Sequence, residues 1–157
     1  MATQKLQVGR AISVIPSNNC DVPFPALTVS GENNGTYGGP EFSDGTKDFQ
    51  ALGVSAGDIV YNITLGLSAT VIRLVNSYTV ELNSPIFDDV DQQYQIFKGG
   101  NNDGCVLYVG SSGDLRVTTV GGDVVSLVGV SGGQFIPIHI TKVWYSGTSA
   151  SNIVALW

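Results

Sequence analysis

The sequence predicts an all-β protein: a β-sandwich or barrel core carrying an inserted small β-barrel-like module. Three observations lead there. Apolar and polar residues alternate with period two in short runs, as in Leu115, Val117 and Thr119 against Asp114, Arg116 and Thr118. The 20 glycines cluster between such runs, where tight turns need them. Charged residues make up only 13% of the chain, about half the usual share, and this fits a surface that largely faces other protein.

Taken in order, residues 1 to 10 are polar and read as an arm or a loose first strand. Ala11 to Ile15 is a short strand, and Pro16 to Asn19 a turn cluster. Val22-Pro23-Phe24-Pro25 is rigid and extended, because each proline fixes its own φ and restricts the residue before it. Leu27 to Val29 continues as an edge strand. Composition shifts at Gly31, and the Gly- and Asn-rich run to Pro40 reads as a linker or exposed loop. Ser43 to Leu52 is expected to contain one helical turn, with Ser43 or Thr46 as N-cap.

A second block runs from Leu52 to Phe97. Its strands are Ile59 to Tyr61, Ser68 to Val75, a run in which Tyr78, Val80 and Leu82 share a face, and Tyr94 to Phe97. Gly99 to Gly104 is a flexible joint. Strands then follow closely: Val106 to Val109, a hairpin over 114 to 128 turning at Gly121-Gly122-Asp123, Phe135 to Tyr145, and Ile153 to Trp157. Ile136, Ile138 and Ile140 are expected on one face. The final strand is apolar on both faces and is expected to be buried. The domains are therefore a discontinuous core, 1–31 plus 101–157, and an insert, 32–100. Insertion at a loop tip is tolerated because the loop ends need only stay close.

A net charge of -6, with seven basic residues scattered singly, argues against a nucleic-acid partner. Met-Ala-Thr-Gln-Lys opens the chain without an apolar segment, so no signal peptide is expected, and no apolar run approaches the ~18 residues of a membrane helix. Cys20 and Cys105 are read as buried free thiols.

No reactive constellation emerges. His139 is the only histidine, and a zinc site built on it would need Cys20, Cys105 and carboxylates. No serine lies in a G-x-S-x-G elbow. Asp88, Asp89 and Asp91 lack the terminal glutamate of a calcium-binding loop and read as a solvated turn. The glycine pairs precede no helix N-terminus, so they are hairpin turns rather than phosphate cradles. No catalytic residue, metal or cofactor is assigned, and no enzyme is expected. Large apolar side chains on the long strand, Phe135, Trp144 and Tyr145, together with His139, are the candidate subunit contacts.

Two groups of motifs carry resemblances. Leu107-Tyr108-Val109-Gly110, Gly113-Asp114-Leu115, Gly121-Gly122-Asp123, Ile136-Pro137-Ile138, and Gly147-Thr148 with Ile153-Val154-Ala155-Leu156-Trp157 stand in the order of the head-spike-base family of tailed phages and gene transfer agents. Pro16-Ser17-Asn18-Asn19-Cys20-Asp21-Val22-Pro23 resembles that family's leading segment. Residues 52 to 97 resemble a small β-module common in phage structural proteins, on Val54, Gly57 to Asn62, Ala69 to Val71, Val75, Leu82, Ile86-Phe87, Tyr94 and Ile96. This second resemblance implies a compact unit without catalytic chemistry. The first would bring Cys20 and Cys105 onto neighbouring stretches of one core, which leaves a disulfide open.

Together the resemblances imply a phage virion structural protein: a capsid decoration or cement protein, or a head-spike-base subunit. Its partners would be further copies of itself, as a trimer or pentamer, and the major capsid protein or another virion protein, with no nucleic acid and no membrane. It would be made in the host cytoplasm and sit on the head exterior. A tail, baseplate or fibre-attachment adaptor and a host-surface carbohydrate-binding module are the alternatives.

Overall fold

The structure, a computed structural model, describes residues 8–100 and 103–157. It is all-β: twelve strands and no helix among the described residues, in two six-stranded antiparallel sheets. The chain divides into one discontinuous unit, Met1–Val14 with Asp103–Trp157, and one continuous unit, Ile15–Asn102.

The discontinuous unit holds β1 (Ala11–Ser13), β8 (Cys105–Ser111), β9 (Gly113–Thr119), β10 (Val124–Val130), β11 (Gln134–Val143) and β12 (Ser151–Leu156). Their order in the sheet is β1-β12-β8-β11-β9-β10. β11 is long enough to serve two neighbours. Its first half pairs with β8 (Ile136 opposite Leu107), and its second half with β9 (Val143 opposite Val117). Leu107, Val109, Leu115, Val117, Ile136, Ile140, Ile153 and Ala155 are buried. The period-two reading of β9 therefore holds, with Leu115 and Val117 fully enclosed. Ile138 is only half-buried, because the β8–β11 register shifts between Ile136 and Ile140. β12 lies between β1 and β8, but only Ile153 and Ala155 are buried; Val154 and Leu156 face outward and are half-buried.

The sheet curls. Asp114 O accepts the amides of Ser149 and Ala150, and the Arg116 amide donates to Thr148 Oγ1 at 3.0 Å. The segment after β11 therefore stays on β9 after regular pairing ends. A side chain at Gly113 would strike the Ala150 amide nitrogen at 2.4 Å, so the close approach requires glycine there.

The continuous unit holds β2 (Leu27–Glu32), β3 (Glu41–Ser43), β4 (Ile59–Asn62), β5 (Leu67–Asn76), β6 (Thr79–Leu82) and β7 (Gln93–Phe97), in the order β2-β7-β4-β5-β6-β3. The two edges approach each other: just beyond β2, the Asn34 amide donates to Ser43 O of β3 at 3.0 Å. Inside lies an aromatic cluster. Phe42 stacks on Phe87 at 4.4 Å and meets Tyr94 at 5.1 Å and Phe49 at 5.8 Å edge-on. Val60, Val71, Val80 and Ile96 complete this core.

Four expectations change. The first boundary falls after Val14 rather than after residue 31, because Leu27–Glu32 finds its partner in Gln93–Phe97. Pro16 to Pro23, matched above to a core segment, belongs to the continuous unit for the same reason: Ser17 Oγ donates to Ser68 O, and the Cys20 thiol to Ser68 Oγ. The run after Gly31 is not a free linker. Asn33 is fully buried, donating to Asp89 O and accepting from the Gln92 amide. Residues 43 to 52 form turns, not a helix, and the caps are aspartates: Asp44 Oδ1 takes the Thr46 amide and Asp48 Oδ1 the Ala51 amide. Ser43 lies in β3 and instead receives the Thr36 amide. The proposed arm falls largely on residues 1–7, outside the described residues; Gly9 and Arg10 bond to Trp157 O. Part of the joint, residues 101 and 102, also lies outside them.

Candidate interaction surface

Several polar side chains of the continuous unit are engaged in holding turns. Asp58 accepts the amides of Ser55 and Gly99 and pairs with Lys98 Nζ at 3.3 Å, which fastens the end of the continuous unit to the turn before β4. A side chain at Gly99 would meet Gly57 O at 1.7 Å, so the fastening needs glycine. Asn62 donates to Ile86 O and Gln92 Oε1, and it caps its own turn through the Leu65 amide. The motif Gly57-Asp58…Asn62 is thus structural throughout. Asp88 accepts from the Gln92 side chain, Asp89 Oδ1 from the Val90 amide, and Asp91 sits at positive φ in the turn. Among the described residues no group of three or more His, Cys, Asp or Glu is placed to hold a metal ion.

Asp44 is fully buried. Its Oδ2 accepts the Tyr94 hydroxyl at 2.6 Å, and Oδ1 takes the Thr46 amide and hydroxyl. Burial first, then the hydrogen bond to Asp44 and its charge, raise the Tyr94 phenol above its ordinary value. Cys20 and Cys105 are both buried, one in each unit, and neither is in a disulfide. Burial pushes the Cys105 thiol up to about 12.

The four candidate contact residues lie on β11 and the turn after it, and the structure does not gather them. Phe135 and Tyr145 stand ten positions apart, roughly 30 Å along an extended strand. Phe135 is 60% exposed and pairs across the strands with Tyr108, ring centroids 5.2 Å apart. Val154 faces Tyr108 from the other side, so Val154, Tyr108 and Phe135 form an apolar row over β12, β8 and β11 on the outer face. His139 is exposed, its carbonyl holding the Val120 amide. Trp144 is half-buried. Its indole N–H donates to Thr118 Oγ1 at 2.9 Å, and both the Arg116 guanidinium (4.6 Å) and the Lys142 ammonium (3.9 Å) lie over its ring. Tyr145 is exposed at the turn.

Sequence reasoning missed the most exposed apolar element. β10 reads Val124-Val125-Ser126-Leu127-Val128-Gly129-Val130, is paired only with β9, and stands at the sheet edge. Val128 is 80% exposed and Val124 50%. Its uncharged, doubly apolar pattern mimics a buried strand, and only its place in the sheet shows otherwise. Compared with protein-family models, with curated proteins and with solved structures, this chain matches none.

Proposed function

We propose that this chain is a structural protein of a tailed-phage particle, a capsid decoration or cement protein or a head-spike-base subunit, that binds the head shell as a symmetric oligomer. The observation that carries this reading is the surface of the discontinuous unit. It presents an uncharged apolar edge strand and an apolar row containing two aromatics, while several carboxylates, Asp58 and Asp114 among them, are occupied in bracing turns. Such a protein works by buried area and geometry. Fully covering a valine or phenylalanine side chain contributes about 1.5–3 kcal/mol, and a closed ring repeats that gain at every contact. The motif order described above supplies the phage setting.

A sugar-binding role is less well supported, because the ring of Trp144 is already engaged by two cations. The test is to mix purified chain with empty phage heads and with tails, sediment each, and image the bound particles. Symmetric density on the head supports the reading. Density confined to the tail favours an adaptor, and absence from both ends the proposal.

A further inference from the structure

We infer that β10 is a self-recognition element: two copies of this chain join edge to edge through antiparallel β10–β10′ pairing about a two-fold axis at Ser126.

The free edge follows from the hairpin. The Thr119 amide donates to Asp123 O, so Thr119 and Asp123 form a hydrogen-bonded pair, and the register continues as Val117 with Val125 and Leu115 with Leu127. Hydrogen-bonded pairs alternate in an antiparallel ladder. The backbone of Val124, Ser126 and Val128 therefore points away from β9. The other edge of β9 agrees with this phase, since Arg116 O and the Val120 amide are directed at β11. Edges of this kind are usually blunted by lysine, proline or a mid-strand bulge. Residues 124 to 128 contain no charge and no proline. The bulge comes only at the far end, where Gly129 adopts φ +69 and its amide is held by Asp114 Oδ1 at 2.9 Å.

The occupant is indicated by the strand's own symmetry. In a two-fold antiparallel pair each residue faces the one equally far on the other side of the axis. About Ser126, Val124 meets Val128′, Val125 meets Leu127′, and Ser126 meets Ser126′. Every pair is apolar with apolar or hydroxyl with hydroxyl. Asp123, the charge nearest the strand, falls opposite Gly129′, so no like charges meet. Arg116 lies beside Ser126 on β9, which places Arg116 and Arg116′ about three strand spacings, or roughly 14 Å, apart, beyond the Debye length at physiological salt. A heterologous partner would have no reason to match this palindrome.

The inference goes beyond the proposed reading, because a two-fold contact joins copies in pairs and not around a three- or five-fold ring, and it needs no phage head to test. Single cysteines are placed in the full chain, whose own two thiols are buried. Ser126→Cys puts two sulfurs opposite each other at a backbone separation of ~5.5 Å, within disulfide range. Val124→Cys leaves its copies roughly 14 Å apart along the strands. Under mild oxidation Ser126→Cys is expected to give covalent dimer at least tenfold faster than Val124→Cys. Equal rates, or no dimer from Ser126→Cys, overturn the inference. Ser126→Lys and Ser126→Asp variants give a second readout by sedimentation equilibrium. Each alone should self-associate at least tenfold more weakly than the unaltered chain, and an equimolar mixture should recover heterodimer. Unchanged association, or no recovery on mixing, overturns it. If the Ser126→Lys variant still binds heads, the virion reading survives loss of this contact; if the contact stands but heads are not bound, only the virion reading fails.

Discussion

Replacing Tyr94 by Phe removes one hydroxyl from the core of the continuous unit and leaves the ring in place. Tyr94 is 1% exposed and Asp44 fully buried, and among the described residues the tyrosine hydroxyl is the partner of Asp44 Oδ2. The other oxygen keeps the Thr46 amide and hydroxyl. A hydrogen bond to a charged group contributes about 1.5–3 kcal/mol, so Tyr94→Phe should cost roughly 2 kcal/mol. For a unit of this size each kcal/mol shifts the midpoint by about 4–8 °C, which gives a fall of roughly 12 °C. The assay exploits an asymmetry in the chain. Trp144 and Trp157 both lie in the discontinuous unit, so tryptophan fluorescence follows that unit, while calorimetry sees both. The expected result is one endotherm lowered by about 12 °C and a tryptophan transition that stays put. The variant should also lose a pH dependence. The Tyr94 phenol is raised in the folded state, so the fold holds this proton where an unfolded chain, with an ordinary value of 10.0, gives it up. The contribution is complete below pH 10 and declines as pH rises above it, and Tyr94→Phe should flatten that decline. A tryptophan transition that moves in step with the lowered endotherm, or no lowered endotherm at all, would refute the reasoning.

Other outcomes can be checked with the same material. Residues 15–102 should be replaceable by a flexible loop. Val14 bonds to Ile153, which faces Val109, and Asp103 re-enters roughly 20 Å up the strand and about 10 Å across. That span calls for about 16 Gly/Ser residues; the shortened chain should keep the native tryptophan emission and unfold cooperatively, and a five-residue loop should not. Cys20 and Cys105 should resist alkylation until unfolding, and mass under non-reducing conditions should show two free thiols; a native 20–105 disulfide would contradict the separate burial of the two. Asp114→Ala frees the Gly129 amide at the bulge and should cost about 1 kcal/mol in the tryptophan transition, with the other endotherm unmoved. No change there would mean that the bulge holds without its cap.

The all-β class and most strand positions were legible in the sequence, because they rest on local chemistry. Leu115 and Val117 are buried opposite Arg116 and Thr118 whatever else the chain does, and Gly122 at φ +90 turns the hairpin where Gly121-Gly122-Asp123 announced it. What only the tertiary structure decided is partnership. Leu27–Glu32 has the pattern of an edge strand in either unit, and its pairing with Gln93–Phe97 across some sixty positions moved a domain boundary. Asp44 and Asn33 resemble ordinary loop residues, yet both are buried because distant Tyr94 and Gln92 meet them. Val124 to Val128 carries the pattern of an enclosed strand and stands at the edge instead. Side-chain alternation is written into successive residues, whereas which strand lies alongside which depends on contacts between segments far apart in the chain, and no local pattern records those.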